Sequence, residues 1–561
     1  MIFENILLAV QELSTLETLL FMSIGTLAGL VAGAIPGFTI AMAIVLTLPF
    51  TFSMPPAQGL ATMMGVFVGG LSGGLMSGIL TGIPGTPSSV ATTFDGFPMA
   101  RNGRPGLALG IGVWASFFGG TISAVLLVTL APQLAQIGLE FQPSDYFMLV
   151  LFALTITASL AGENLTKGLI AGALGLLIAT IGEDEASGIA RFTFGFDDMR
   201  QGFSFLPVLI GLFAFSQLLT DLEDRVKAKK ALSEDGSSAV RVEHLAAIKI
   251  VLSQWVNLLR SSFIGVFTGV LPAAGSSISN ILAYEQAKKA SKTPERFGTG
   301  CAEGIVAPES ANNATAGGAL ITMMALGIPG DIVTAVMLGA LLIHDVVPSP
   351  SFVTEEPVLA YSMFLAFFVA NFLMIALQSG ALRLFVLVTK VRMYILAAII
   401  LAYCGIGVFA LNNIEYDMWT LFLFGILGYV LRKLGFPLAP IILGVVLGHI
   451  AELWLARATA ISTSVLPFII QPWSMFFLIL AVFSVFFSSY QDNLGKKTWT
   501  LFYTPALTAA MSVPMFLMEG TARPILGVIL LLLSGFLLNR ARQQGWKVNP
   551  ADAEGPRLSE G

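Results

Sequence analysis

An all-α, polytopic membrane protein is the fold class this sequence predicts, and three observations carry the prediction. Only 11% of the 561 residues are charged while 55% are hydrophobic, against roughly a quarter charged in a soluble domain. Apolar windows of about 20 residues, the length that crosses a hydrocarbon core, recur along the chain. The chain also carries 57 glycines and 27 prolines, many where a spanning helix would have to be interrupted. The expectation is roughly ten to fourteen transmembrane helices in two internal repeats, with broken helices or re-entrant hairpins at the interruptions.

The opening MIFENILLAV has no Lys or Arg before its apolar run and no small-residue cleavage site, so no removable signal peptide is expected. Windows long enough to span, or nearly so, begin near Leu16, Ala57, Leu107, Tyr146, Leu165, Phe205, Ile248, Val358, Met393, Met418, Pro437, Met475, Leu501 and Pro524. Shorter or interrupted ones lie around Ile40, Ala316 and Ile332. Cys301 and Cys404 make no disulfide framework, and the scattered His244, His344 and His449 make no zinc or haem site. No basic patch interleaved with aromatics suggests nucleic acid.

One polar segment, Asp221 to His244, carries Arg225, Lys227, Lys229 and Lys230 just beyond an apolar span. By the positive-inside rule it is cytoplasmic. It divides the chain into a first transmembrane half (1–220), a linker (221–247), a second half (248–490), additional C-terminal spans (491–540) and a polar tail (541–561). The tail begins with Arg540 and Arg542 beside the last span, reads as cytoplasmic, and is expected to be disordered at its end.

The two halves echo each other. GAIPGFTIAMAIVLTLP and GGLSGGLMSGILTGIPGTPSSVA in the first correspond to GVLPAAGSSISNILAYE and APESANNATAGGALITMMALGIPGDIVTAV in the second. Pro36 matches Pro272 at an offset of 236 (272 − 36), and Pro84 matches Pro329 at 245 (329 − 84). Proline inside a helix costs roughly 3 kcal/mol. In hydrocarbon the freed carbonyls cannot turn to water, so such backbone survives only inside protein or against a water-filled cavity. Paired breaks in two repeats mark the binding site of a secondary transporter, where helix N-termini face anions and freed carbonyls hold small cations. Candidate substrate contacts are therefore Pro36, Gly37, Thr39, Gly82, Pro84, Gly85, Thr86, Ser88 and Ser89. From the second half come Pro272, Gly275, Ser276, Ser277, Asn280, Pro329 and Gly330. The hydroxyls also suit plain helix capping. Gly70, Gly74, Gly78 and Gly82, like Gly65, Gly69 and Gly73, recur every fourth residue and predict close helix packing up to Gly78.

Glu309, Asn312 and Asn313 in APESANNATAGG share one helix face at i, i+3 and i+4. An ionisable group at membrane depth is a functional candidate by default. A carboxylate with two amide oxygens suits an alkali cation or a proton, although a helix mouth at the aqueous boundary explains it too. Asp331 stands where the first half has Thr86 and joins these as a candidate for coupling a cation or proton. Asp95 is expected at an interfacial loop near Arg101 and Arg104. No metal beyond a Na+ site, and no organic cofactor, is implied.

The segments GAIPGFTIAMAIVLTLPFTF, GILTGIPGTPSSVATTFDGFPMARNG, GVLPAAGSSISNILAYEQAKKASKTPERFGTG and GIVAPESANNATAGGALITMMALGIPG closely resemble the tripartite tricarboxylate transporter family, in its large membrane subunit of TctA type. The resemblance runs from about Leu16 to Phe487 and includes LRKLGFPLAPIILGVVLG. It implies an importer of small organic acids in the bacterial inner membrane, driven by a Na+ or H+ gradient, with inverted repeats. It also implies two partners, a small membrane subunit (TctB type) and a periplasmic substrate-binding protein (TctC type). On matching positions the family signatures fall at Gly33 to Thr39 with Gly82 to Ser89, at Gly269 to Ser277 with Gly327 to Gly330, and at Pro308 to Ala314. The chain departs from the family at Ala273 (usually glycine), at Ile321-Thr322 (usually with proline), at Asp331 (usually small) and in HDVVPSP. An added carboxylate at Asp331 implies a substrate less charged than citrate, or a coupling ion at Asp331.

Other classes fit less well. An intramembrane hydrolase with Ser88 or Ser276 as nucleophile has no sequence-local base and leaves the duplicated breaks unexplained. A channel needs like groups from identical subunits. A scaffold has no use for a buried glutamate. A non-enzymatic transporter is the expectation.

Overall fold

Apolar windows become helices because, away from water, only intra-segment hydrogen bonds satisfy the backbone. The computed structural model describes residues 2–160, 164–184, 188–223, 240–272, 275–344, 346–388 and 393–548. Most of the basic linker, Ala273 and the end of the tail lie outside the described residues. Among the described residues, eight helices are long and apolar enough to cross a membrane, or nine if the pair His244–Ser253 and Trp255–Val270, bent by 82°, counts as one span. Six shorter apolar helices of 10–17 residues accompany them. Among the described residues the only sheet is the two-stranded β1 (Gly182–Glu183) and β2 (Ala190–Arg191). The chain is an all-α polytopic membrane protein.

Ten helices carry the two glycine-proline series. They are α1 (Leu16–Ala34), α2 (Ile40–Thr51), α3 (Pro56–Thr81), α4 (Val90–Arg101) and α5 (Pro105–Gly138), then α6 (Trp255–Val270), α7 (Gly275–Ala290), α8 (Glu303–Leu326), α9 (Ile332–Ile343) and α10 (Pro357–Val388). All belong to one compact unit, built from residues 1–139 and 203–434. In it α1 lies along α3 and α6 along α8, while α5 packs on α8 and α10 on α3.

Glycine explains why those pairs come so close. A Cβ at Gly69 or Gly73 of α3 would run into the carbonyls of Thr26 and Leu30 of α1. One at Gly265 or Gly269 of α6 would run into the carbonyls of Ala311 and Thr315 of α8. Backbone meets backbone in both halves, the packing that small residues allow where hydrophobic driving force is absent. The every-fourth-residue glycines of α3 are thus packing surfaces, as their spacing predicts.

The second unit comprises residues 140–202 and 435–561. Helix Leu438–Ile461 packs on Leu165–Ala179, where Gly444 meets the carbonyl of Gly172 and Gly175 that of Ile441. Helices Pro143–Leu160 and Pro472–Asn493 both begin after a Gln-Pro step and run parallel in register. Gln471 pairs with Gln142, Ser474 with Asp145 and Ser484 with Thr155, each at a separation of 329. Helices Thr500–Leu517 and Ala522–Gln543 complete it, with most of their apolar side chains outward.

Candidate functional site

Each series of breaks closes on itself first. Helix α3 ends at Gly82 and α8 at Gly327, both left-handed C-caps with φ of +77° and +71°. Three residues on, a Cβ at Gly85 would strike the carbonyl of Gly33 at the end of α1, and one at Gly330 the carbonyl of Gly269 at the end of α6. Glycine is therefore required twice at each GIPG, once for its φ and once for close approach. The Gly85 N–H turns back to the Gly74 carbonyl at 3.2 Å. The paired breaks correspond in atomic contacts as well as in sequence.

The same offset of 245 governs the helix starts that follow. Thr86 precedes the turn Pro87–Ser89 leading into α4, and its N–H donates to Ser89 Oγ at 3.4 Å. Asp331 is the N-cap of α9, and its N–H donates to Thr334 Oγ1 at 3.0 Å. The Asp331 carboxylate accepts from the Thr334 N–H and hydroxyl, both at 2.7 Å. Asp331 thus stands in the same cap as Thr86, with a stronger acceptor. It is buried, and its Cβ lies 3.6 Å from where a Cβ on Gly275 would be.

Side chains of the second half reach the breaks of the first. Asn280, fully buried on α7, donates its amide to the Ser88 carbonyl. Asn312 donates to the Leu71 carbonyl of α3 at 3.1 Å, and Asn313 to Ser72 Oγ at 2.8 Å. The Oδ1 atoms of Asn280, Asn312 and Asn313 are buried and have no hydrogen-bond partner among the described residues. Thr86 and Ser88 hydroxyls bond each other at 2.9 Å, and both are buried with Ser89. Thr39 caps α2, accepting from the Met42 N–H at 3.1 Å. Pro36 is half-buried, and Gly37 is exposed with φ +88°. Pro272 is buried, Ser276 half-buried and Ser277 exposed.

Glu309 is not exposed at all, and its partners were invisible in the sequence. Thr92 of α4 donates to one carboxylate oxygen at 2.5 Å and Ser116 of α5 to the other at 2.8 Å. Glu309 sits inside protein on α8, against Thr92 in the first turn of α4. No hydrogen bond joins it to Asp331, so the candidate coupling residues form two places, not one.

Asp95 corrects an expectation. It is fully buried on helix α4, not in an interfacial loop. It accepts the N–H groups of Gly298, Gly300 and Cys301 at 2.8–3.0 Å and the Tyr284 hydroxyl at 3.0 Å. Thr92 and Asp95, at i and i+3, lie on one face of α4. That spacing is the signal that would have exposed Thr92 and Asp95 together. Cys301 and Cys404 are both buried and unpaired.

Residues 19–443 match the model of the tripartite tricarboxylate transporter TctA family. An uncharacterised 52.8 kDa protein of Agrobacterium vitis, in the TAR-I ttuC' 3' region, is 32% identical over 390 residues, covering 68% of this chain and 74% of that protein. A second uncharacterised A. vitis protein, in the TAR-II ttuC' 3' region, is 36% identical over 198 residues, or 35% of this chain and 82% of its own length. No solved structure matches.

Proposed function

The chain belongs to the tripartite tricarboxylate transporter TctA family, and from that premise we propose that it imports small organic acids by alternating access, driven by an ion gradient. Its partners in this reading are a small membrane subunit and a periplasmic substrate-binding protein, and its place is the bacterial inner membrane. The two glycine-proline series, α1–α4 and α6–α9, act as repeats around a common site.

The observation that carries the reading is the duplicated break, Gly85 closed on Gly33 and Gly330 closed on Gly269. Discontinuous helices in matched positions are how secondary transporters build a site within the bilayer. The N–H groups after Thr86 and Asp331, with the hydroxyls of Thr86, Ser88 and Ser89, supply donors for substrate carboxylates. The partnerless oxygens of Asn280, Asn312 and Asn313 are hard donors that fit a Na+ ion. Glu309 and Asp331 are the carboxylates through which a cation or proton is coupled.

The test reconstitutes the chain with its small subunit and adds loaded binding protein outside the vesicle. A panel of mono-, di- and tricarboxylates is offered with Na+ and H+ gradients imposed separately. Accumulation of one class under one gradient is expected. Equal flux with no gradient, never concentrating substrate, overturns the proposal.

A further inference from the structure

Between helices Leu165–Ala179 and Phe205–Ile210 the described residues, 180–184 and 188–204, belong to no span and are tied to one another and to a neighbouring helix. Strands β1 and β2 pair Gly182 with Arg191 and Glu183 with Ala190. Arg191 grips Glu452 with both guanidinium nitrogens, one of them at 3.0 Å. Arg200 donates to Glu183 at 2.8 Å, tying the end of the segment to its beginning. Gly182 and Gly202, both with positive φ, close its base, where a Cβ on Gly182 would lie 2.7 Å from the Gly202 nitrogen.

What this frame displays is unusual. Phe192, Phe194 and Phe196 are 51%, 78% and 66% exposed. Phe192 and Phe194 have φ of +52° and +51°, a left-handed backbone that aromatic residues rarely adopt. Strain of this kind persists where surrounding structure enforces it, and it gathers at sites of function. Directly after the rings come Asp197 and Asp198, both exposed. The two arginines of the segment are spent on Glu452 and Glu183, so the tip is apolar and acidic.

The chain itself gives the side of the membrane. From Phe205 to Glu223 it runs as one continuous helix with a π-turn at Gly211–Phe215. The far end is basic in sequence, with Arg225, Lys227, Lys229 and Lys230. It also meets Lys433 and Arg432, which bond Glu223 and Gln217. By the positive-inside rule that end is cytoplasmic; the helix rises about 28 Å, close to the thickness of a hydrocarbon core, and taking it as a crossing puts the phenylalanine tip outside.

We propose that the tip Phe192–Asp198 is the docking point for the extracytoplasmic substrate-binding protein, three rings seated in an apolar depression with a basic rim around Asp197 and Asp198. This rests on the importer reading above, which supplies the partner. The charges argue against the other occupants: a second copy would bring aspartates against aspartates, and a lipid surface would have to take both carboxylates in with the rings.

The experiment places a photo-crosslinking phenylalanine analogue at Phe194 in the full transporter, in nanodiscs, with the purified binding protein in solution. An adduct with the binding protein is expected. Adducts to lipid or to a second copy of this chain, or no adduct at all, overturn the proposal. In parallel, the variant Phe192→Ser/Phe194→Ser/Phe196→Ser is expected to bind the protein about tenfold or more weakly. Asp197→Asn/Asp198→Asn is expected to bind more weakly at low salt and equally at high salt. Unchanged affinity of a folded triple variant overturns the docking site while leaving the importer standing. Docking without gradient-driven uptake by the wild type does the reverse.

Discussion

Gly85 and Gly330 have no room for a methyl group, because each faces a backbone carbonyl that cannot rotate away. Gly85→Ala and Gly330→Ala are each expected to cost about 1–3 kcal/mol or more, read as lost thermal stability of the purified protein. Gly380→Ala, which meets nothing within 4 Å, is expected to be neutral or to stabilise by up to about 1 kcal/mol. Equal behaviour of all three would remove the close-approach argument. At Glu309, Thr92→Val leaves a buried carboxylate oxygen without its donor, a penalty of about 1–3 kcal/mol, whereas Thr92→Ser keeps it. Uptake is expected to fall in the first variant and survive in the second. The GIPG motifs were legible because helix packing explains a glycine row but not a proline flanked by glycines. Thr92 and Ser116 were not, since a hydroxyl in an apolar run reads equally well as a bond to its own helix. Asp95 misled for a related reason. Its partners are three backbone N–H groups, which carry no side-chain signature, and the hydroxyl of Tyr284, far off in sequence, while Arg101 and Arg104 stood close by.

Helix starts separate structural from functional roles for the residue at position 331. Asp331→Ala removes the cap of α9 and is expected to cost about 1 kcal/mol. Asp331→Ser keeps a capping side chain, so stability should stay close to wild type. If the carboxylate helps to couple an ion, the serine variant will nevertheless change ion dependence or substrate preference in proteoliposome uptake. Identical transport by the serine variant would reduce Asp331 to a cap. The corresponding cap at Thr86 shows why the sequence could place this residue: one offset relates Pro84 to Pro329, Thr86 to Asp331 and Ser89 to Thr334. The register of Pro143–Leu160 with Pro472–Asn493 escaped notice because a lone Gln-Pro step is too short a match to trust before its partners are seen touching.

Across the whole molecule, the two compact units interleave along the chain, residues 140–202 joining 435 onward. Hydropathy cannot reveal that grouping, because segments of both units are equally apolar. At the ends of its helices, unit two is fastened by Glu140 and by Arg523 in the first turn of Ala522–Gln543, 2.7 Å apart. The hydrogen bond from Arg523, and then its charge, hold the Glu140 carboxyl below the usual range. A lowered folded-state pKa stabilises at neutral pH and is lost as pH falls past the unfolded value toward the folded one, so the effect fades below about pH 4. For so exposed a pair it is worth at most about 1 kcal/mol. Arg523→Gln should therefore melt slightly lower than wild type at pH 7 and converge with it in acid; a gap that widens in acid would contradict the assignment. The two buried thiols have a practical sequel. With Cys301 and Cys404 both sealed in the interior, the native surface is silent to maleimides, and a cysteine introduced at Phe194 or Lys229 becomes the sole target. Impermeant reagent applied to intact spheroplasts should then modify the first and spare the second, giving the orientation of the chain without rebuilding its core.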